Sequence, residues 1–254
     1  MINSHIPSNH PRAQSLLIRD LLVQGFRSGL VVPEGLLAHG RGETFDYLLG
    51  ECTSIHAINA IKAASALILL ANNPVISVNG NSAALCAGQL VELSKLTNSN
   101  LEVNLFYTSK KREQLISQKL KKCGAKIVLG TNNKRIDIPE LTSSRRHVDQ
   151  NGIFKADVVL VPLEDGDRTD ALMKMRKKVI TIDLNPLSRT SQSSTISIID
   201  NIVRAIPQLI KVTKDLKNQG RGSLERILEK YDNQYNLDES LKIIRGNANT
   251  QYEK

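Results

Sequence analysis

Blocks of apolar and polar residues along the chain predict an ordered series of helices and strands. Leucines at helical spacing begin after Pro11 and predict a first helix that ends near Gly29. The segment 54–72 is apolar on nearly all sides, which is typical of a buried helix. Between these two helices, the segment 33–42 contains one proline and three glycines, and it is predicted to be irregular.

The period of the pattern changes after Pro74, where short apolar runs alternate with helical segments. The runs predict strands at 75–78, 101–106, 126–129, 157–161, 179–182 and 195–199. The helical segments end near 96, 123, 175 and 212. This alternation predicts an α/β, Rossmann-like fold, with a mostly parallel sheet, helices on both faces and N-terminal helices before it. Such sheets bind ligands at the carboxyl ends of their strands.

The chain becomes more polar from residue 214 onward, and two glycines at 220 and 222 interrupt it. Short amphipathic patches then predict helices around 224–228 and 237–244. We interpret 1–213 as a single α/β domain and 214–254 as a C-terminal helical tail. The tail is expected to dock on that domain or on a second subunit.

The composition argues against several classes of protein. The chain has 34 Lys and Arg against 25 Asp and Glu, a net charge of +9, but only 4% aromatic residues. Sites for single-stranded nucleic acid need stacking aromatics, and the basic residues lie in small groups at 110–112, 121–122, 145–146 and 176–178, so we interpret these groups as solvated helix faces. The three cysteines are far apart, which argues against a disulfide framework or a structural zinc site. The N-terminus does not resemble a signal peptide, and we expect a cytoplasmic protein without nucleic-acid or membrane partners.

Two polar loops follow predicted strands. The first contains Glu164, Asp165, Asp167 and Arg168. Its acids could hold Mg²⁺ or bind an amine, and its arginine could bind a phosphate or carboxylate. The alternative is a polar turn that caps a helix, but acids this close repel one another, which favours a functional site.

The second loop runs from Asp183 to Thr190. Asp183 could accept hydrogen bonds from ribose hydroxyls, Asn185 could pair with a base edge, and Arg189 with Thr190 suits phosphate oxygens. The alternative is an ordinary crossover loop that contains a proline.

Two further segments combine polar residues with glycine. Asn79, Gly80 and Asn81 begin a predicted helix, where backbone N–H groups favour an anion, although a simple helix cap is an equal alternative. This turn is neither a Walker A loop nor a GxGxxG motif. The segment 38–43 places His39, Arg41 and Glu43 among glycines that permit close approach to a ligand. Together, these residues predict an anionic ligand, in particular a nucleotide.

The motifs resemble one family over residues 10–212, that of the archaeal phosphopantothenate synthetases, or 4-phosphopantoate–β-alanine ligases. The matching strings are 10–12, 35–50, 73–81, 102–107, 156–169, 179–190 and 200–201. Cys86-Ala87-Gly88 departs from the proline and acid that the family leads us to expect there.

This resemblance implies an ATP-dependent ligase of coenzyme A biosynthesis. Such an enzyme activates 4-phosphopantoate as an acyl-adenylate with release of pyrophosphate, and β-alanine then displaces AMP. The resemblance also implies a homodimer in an archaeal cytoplasm. The positions implied for ATP are Arg19, Arg41, Asp183, Leu184, Asn185, Arg189, Thr190, Asp200 and Asn201.

The residues themselves are consistent with that chemistry. The reaction would gather several phosphates and carboxylates, which arginines and Mg²⁺ would keep from repelling one another. We expect catalytic roles for His39, Arg41, Glu43, Asp165 and Arg168. A proton from the amine could pass to His39, to Glu43 or to an acid in 164–167. Substrate binding is expected at Arg12, Asn79, Gly80, Asn81, Glu164 and Asp167. Two alternatives stay open: a nucleotide-binding regulatory module without chemistry, and a nucleic-acid-binding protein.

Overall fold

The structure, a computed structural model, describes residues 7, 9–10, 12–132, 135–139, 141–163 and 166–250, the side chains of 249 and 250 excepted. The helices are α1 (Ala13–Arg27), α2 (Pro33–Leu48), α3 (Ile55–Leu70), α4 (Gly80–Thr97), α5 (Lys110–Lys122), α6 (Gly166–Lys174), α7 (Arg189–Ser193), α8 (Ile202–Leu216), α9 (Arg221–Glu229) and α10 (Asn233–Thr250). The strands are β1 (Pro74–Val78), β2 (Asn100–Val103), β3 (Arg135–Asp137), β4 (His147–Asp149), β5 (Val158–Pro162), β6 (Lys178–Asp183) and β7 (Ile196–Ile199).

The main sheet contains parallel strands in the order β2-β1-β5-β6-β7. The chain passes from β1 outward to β2, and later returns to the other side of β1 with β5. The order of the strands therefore reverses between β1 and β5, and a ligand crevice is expected at the carboxyl ends around this switch point.

The sheet is buried on both faces, as predicted. Ile76, Leu160 and Ile180 belong to a large apolar cluster with the helices on one face. Val75 and Val159, one residue earlier on β1 and β5, belong to a second cluster with α6 and the β3–β4 hairpin region on the other face. The period of two residues in a strand accounts for this division. The predicted α/β fold is confirmed.

The segment 33–42 was predicted to be irregular, and this prediction is wrong. It forms most of α2, which begins with Pro33 at its first position. The glycines lower its intrinsic helix propensity, but contacts with neighbouring elements override that preference. Gly35 makes one such contact, with Asn81. A Cβ at position 35 would lie 2.5 Å from Asn81 Oδ1, so only glycine permits this approach.

The strand predicted at 126–129 is also absent from the structure. Leu129 forms an isolated bridge beside β2, where its N–H donates to Leu101 O (2.8 Å) and its carbonyl accepts from Val103 N (3.0 Å). Gly130 follows with φ of +79° and turns the chain away, so that the pairing stops. The antiparallel hairpin β3–β4 was not predicted, and its strands are only three residues long.

Some basic residues that we interpreted as parts of solvated faces are buried instead. Arg145 is 7% exposed, and Lys177 donates to the carbonyls of Phe154 and Ala156, both at 2.7 Å. Arg112 is half-buried and donates from Nε to Leu30 O at 2.8 Å. Lys177 and Arg112 hold loops together and Arg145 is buried, so the interpretation as solvated faces is wrong for these three side chains.

The last two helices pack on the body of the protein. Leu224 of α9 and Leu237 of α10 are both buried, the latter with Leu184. Asn233 Oδ1 accepts from the backbone N–H of Ser197 in β7 (2.8 Å). Asn236 Nδ2 donates to the carbonyl of the same serine (2.8 Å). The division at residue 213 falls inside α8, and a separate tail stays a prediction.

The described residues contain no helix that is long and apolar enough to cross a membrane.

Candidate active site

Residues expected to bind ligands follow four neighbouring strands at the carboxyl edge of the sheet. Asn79 comes directly after β1, Asp167 and Arg168 lie at the beginning of α6 after β5, Asp183 lies at the end of β6, and Asp200 comes directly after β7. Because the strands are parallel, all these positions lie at one edge. The arrangement agrees with the position predicted for the crevice.

The two asparagine side chains of the turn after β1 make hydrogen bonds within the protein. Asn79 Oδ1 accepts from Ser82 N (2.9 Å) and its Nδ2 donates to the carbonyls of Pro162 (2.9 Å) and Leu163 (3.1 Å). Its side chain therefore caps α4 and joins the ends of β1 and β5. Asn81 Nδ2 donates to Gly35 O at 2.8 Å, which ties α4 to α2. These contacts favour a structural role over direct substrate binding for both asparagines, as a helix cap for Asn79 and as a link between helices for Asn81.

Gly80 also has a packing role. A Cβ at this position would collide with the backbone carbonyl of Leu30. The glycine therefore permits the close approach of two backbone segments, and no ligand is needed to explain it.

Arg168 was expected to clamp an anion, but the structure places it elsewhere. Its side chain is fully buried, with Nη2 donating to Ser77 Oγ (2.9 Å) and Nη1 to Asn104 Oδ1. Because α6 already begins at Gly166, the side chain of Arg168 is directed into the protein. Its guanidinium there joins the ends of β1 and β2. A guanidinium in this position does not face a ligand in the crevice, so the expected direct contact is not supported.

Of the three acids predicted to bind ligands after β5, the structure describes one. Glu164 and Asp165 lie outside the described residues. Asp167 is described, and its carboxylate lies 2.8 Å from Nη1 of Arg189. Arg189 also lies 3.4 Å from Asp170, and both members of the Asp167–Arg189 pair are about two-thirds exposed, at 67% and 71%. The two predicted loops therefore meet.

The loop after β6 is organised by its own side chains. Asp183 accepts from Asn185 N (3.0 Å) and Ser188 Oγ (2.5 Å), and Asn185 Oδ1 accepts from Leu187 N (2.9 Å). Burial raises the pKa of Asp183, and the nearby positive charge of Arg41 opposes this shift.

Arg41 reaches this loop from α2. It is exposed, and the next residue, Gly42, packs against Leu184. Leu184 and Thr190 are themselves buried. The structure therefore brings together Arg41 and the Asp183 loop, which are widely separated in the chain.

Arg19 and Glu43 form a bidentate pair between α1 and α2. Arg19 Nε lies 3.1 and 3.0 Å from the two carboxylate oxygens of Glu43, and its Nη2 lies 2.8 Å from Oε1. Tyr47 donates to the same carboxylate at 3.3 Å. The hydrogen bond to Glu43 raises the pKa of Arg19. The carboxylate of Glu43 thus positions Arg19. Because these contacts occupy it, Glu43 is less suited to accept a proton from the amine.

His39 lies one turn before Glu43 on the same face of α2. It is half-buried, and this burial lowers the pKa of its imidazole below the ordinary 6.5. Arg19 acts in the same direction, whereas Glu43 opposes it. The imidazole is therefore neutral at neutral pH and able to accept a proton. Arg12 is exposed and lies three residues before Ser15. Ser15 lines the same small pocket as His39, so Arg12 lies near this pocket.

Asp200 and Asn201 lie in a buried network that includes three residues not predicted from the sequence. Arg204 contacts the carboxylates of Asp46 (2.5 Å) and Asp200 (2.7 Å). Asn201 Nδ2 donates to Asp46 Oδ2 (2.7 Å), and Thr53 Oγ1 donates to Asp200 (2.7 Å). The spacing of Asp200 and Arg204 by four residues was a signal for this pair. Asp46 would have been noticed only if 33–48 had been recognised as a helix.

Mg²⁺ has no ready-made site among the residues that the structure describes, since no three His, Cys, Asp or Glu side chains gather there. Mg²⁺ that accompanies a nucleotide needs only one or two protein carboxylates, so this observation does not argue against ATP.

Comparison with known proteins identifies the family. Residues 56–247 match the phosphopantothenate/pantothenate synthetase family. The chain belongs to this family. The resemblance predicted from the sequence motifs is therefore confirmed.

Relatives with similar sequences occur in species of Thermococcus and Methanosarcina. A 4-phosphopantoate–β-alanine ligase of Thermococcus onnurineus is 50% identical over 240 residues, which cover 94% of this chain and 92% of the relative. The proteins of the same name from Thermococcus kodakarensis and Methanosarcina mazei are 50% and 48% identical over 247 and 245 residues. These alignments cover 96% of this chain and 93% and 96% of the relatives, so they include α2 as well as the sheet.

Proposed function

We propose that this protein is a 4-phosphopantoate–β-alanine ligase. The reaction joins the carboxylate of 4-phosphopantoate to the amine of β-alanine, consumes ATP and gives 4′-phosphopantothenate, AMP and pyrophosphate in coenzyme A biosynthesis. The observation that carries the proposal is the 48–50% identity to ligases of that name over 94–96% of the chain.

ATP is proposed to bind where Arg41 of α2 faces the loop 183–190. Arg189 is 71% exposed in its side chain and Arg41 is exposed, so both can contact phosphates. The amide nitrogen of Asn185 makes no hydrogen bond within the described part of the chain and is free to recognise the base or ribose. Leu184 is buried, and it would contribute its backbone alone.

The remaining positions implied for ATP have structural partners. Arg19 is bonded to Glu43, and Asp200 and Asn201 belong to the network of Asp46 and Arg204. We propose that these residues shape the nucleotide site, and that the exposed arginines make the direct contacts to phosphate.

The first chemical step is attack by a carboxylate oxygen of 4-phosphopantoate on the α-phosphorus of ATP. The bond to pyrophosphate breaks, and negative charge gathers on the phosphate oxygens. Arg41 and Arg189 are the cations that stabilise this charge. Mg²⁺ is proposed to arrive with the ATP phosphates, with Glu164, Asp165 and Asp167 as candidate ligands.

The second step is attack by the amine of β-alanine on the acyl carbon. A C–N bond forms, the C–O bond to AMP breaks, and the nitrogen must lose protons. We assign the proton acceptor to His39, because burial keeps its imidazole neutral while Glu43 is occupied by Arg19 and Tyr47.

The protein is further proposed to be a homodimer in the cytoplasm, where ATP is available. Large apolar side chains are exposed on α1 and α2, among them Leu17, Phe26 and Leu37. An exposed apolar surface of this kind favours association with another protein surface. Sedimentation equilibrium would give twice the mass of the chain for a dimer, and the mass of one chain would reject it.

The function is tested with the purified protein, ATP, 4-phosphopantoate and β-alanine. We expect AMP and pyrophosphate in equal amounts with the amide product. Without β-alanine, labelled pyrophosphate should exchange into ATP only when 4-phosphopantoate is present. ADP as the nucleotide product would reject the adenylate, and nucleotide binding without any pyrophosphate release would identify a regulatory module.

A further inference from the structure

The contact between α2 and the N-terminus of α8, just after β7, is made by buried charges. The guanidinium of Arg204 lies between two carboxylates, with Nη2 at 2.5 Å from Asp46 Oδ1 and at 2.7 Å from Asp200 Oδ1. The side chains of Arg204, Asp46 and Asp200 are 14%, 7% and 0% exposed. Asn201 adds a hydrogen bond from Nδ2 to the second oxygen of Asp46.

Such a network is a costly way to stabilise a fold. Removing charges from water offsets much of their mutual attraction, and apolar residues of similar size often stabilise a protein as well or better. The best-attested advantage of a buried ion pair is that it fixes one relative position of two elements. Here the two elements are α2 and the N-terminal turn of α8, which begins just after β7.

The helix α2 depends on such contacts for its position. Its sequence contains Gly35, Gly40 and Gly42, which disfavour a helix, and its N-cap Val32 provides no side-chain hydrogen bond. Asp46 is one of two charged residues that α2 buries, and it lies five residues after Arg41 and seven after His39. Fixing Asp46 therefore fixes the direction in which the other two side chains approach the sheet edge.

We propose that Asp46 and Arg204 are a positioning pair for adenylate formation, which hold α2 over the carboxyl ends of β6 and β7. The pair acts through α2: it places Arg41 beside the nucleotide loop, and it holds His39 in the small pocket that Asp46 and Arg204 also line. This inference rests on the proposed ligase function. It adds two positioning residues to the reaction, one of them 158 residues distant in sequence from the other.

The test uses Arg204→Gln and Asp46→Asn in the full-length protein. In each variant we expect the rate of exchange between pyrophosphate and ATP to fall by about 10- to 100-fold, with a raised KM for ATP. Amide hydrogen exchange in 33–48 should become faster, whereas that in β1 and β5 should not change. A matched control is Lys214→Ala, which removes an exposed ion pair with Glu92 from the same helix α8.

A double variant separates positioning from general stability. Asp46→Asn combined with Arg204→Gln replaces the ion pair by two neutral amides that can bond to each other, so the double variant should exchange faster than Arg204→Gln alone. All assays are run well below the thermal midpoint of the least stable variant. The inference is overturned if both single variants keep their exchange rates and KM for ATP within twofold of wild type. It is equally overturned if activity falls only in proportion to the unfolded fraction. A wild-type protein without exchange would reject the ligase function itself.

Discussion

The guanidinium of Arg189 lies 2.8 Å from the carboxylate of Asp167 and so joins the loop after β6 to the beginning of α6 after β5. Both side chains are largely exposed, and an ion pair of this kind contributes little to the stability of the fold. In the proposed nucleotide site, Arg189 would release the carboxylate of Asp167 and bind a phosphate instead, so that Asp167 would hold the arginine in position until the nucleotide binds.

Arg189→Ala should slow formation of AMP by about 10²–10³-fold, because it removes one charge-assisted contact from the transition state. The free energy of unfolding in urea should stay within about 0.5 kcal/mol of wild type, since the side chain is exposed. Arg221→Ala, which removes the exposed pair with Glu225, is the control and should leave both quantities unchanged. Normal turnover by Arg189→Ala would remove this residue from the nucleotide site.

Arg168→Ala should behave in the opposite way. It leaves Ser77 and Asn104 without their buried donor and opens a cavity, so the free energy of unfolding should fall by roughly 3 kcal/mol or more. Urea denaturation measures the loss, and refolded protein should retain nucleotide binding at low temperature. Unchanged stability together with lost ATP binding would instead support the direct contact between Arg168 and an anion that the sequence predicted.

His39→Gln should separate the two chemical steps. Amide formation should fall by about 10²–10⁴-fold, whereas exchange between pyrophosphate and ATP should persist within a few-fold of wild type. In the wild type, amide formation should rise with pH through a pKa below 6.5 and level off near neutrality, because the neutral imidazole is the active form. The control is His56→Gln on α3, whose ring lies by Tyr235 and Glu239. Equal loss of both steps would exclude His39 as the proton acceptor.

Glu102 should make stability depend on pH. It is fully buried in β2, and burial raises its pKa from 4.5 to about 7 even though the backbone N–H groups of Asp149 and Ile153 donate to it. Because the folded state disfavours the ionised carboxylate, its contribution to stability is complete below about pH 4.5 and is lost as the pH rises through about 7.

Glu102→Gln lacks this titration. The free energy of unfolding of wild type relative to the variant should therefore fall by up to about 3 kcal/mol between pH 5 and pH 8. Urea titrations of both proteins at several pH values measure the difference. A difference that does not vary with pH would show that Glu102 is ionised throughout.

Local pattern was sufficient to predict the five strands of the main sheet, and long-range contacts explain much of what it missed. Runs such as 179–182 are apolar because both faces of the sheet are covered, so they were recognisable from the sequence alone. The helix α2 was missed because its glycines are tolerated through contacts with distant residues such as Asn81. Arg168 lies beside polar loop residues in sequence, and only the beginning of α6 at Gly166 decides that it points inward.

The side chains of Asn233 and Asn236 occupy the outer N–H and C=O of Ser197, and Leu129 pairs with β2 at the opposite border of the sheet. Both borders are thus already used at these positions, and a further strand would have to displace α10 or the bridge. A continuous sheet that runs from one copy of the protein into the next is therefore disfavoured. This protects the parallel sheet from aggregation through its edge strands. Any assembly of copies is accordingly expected to form through helix surfaces.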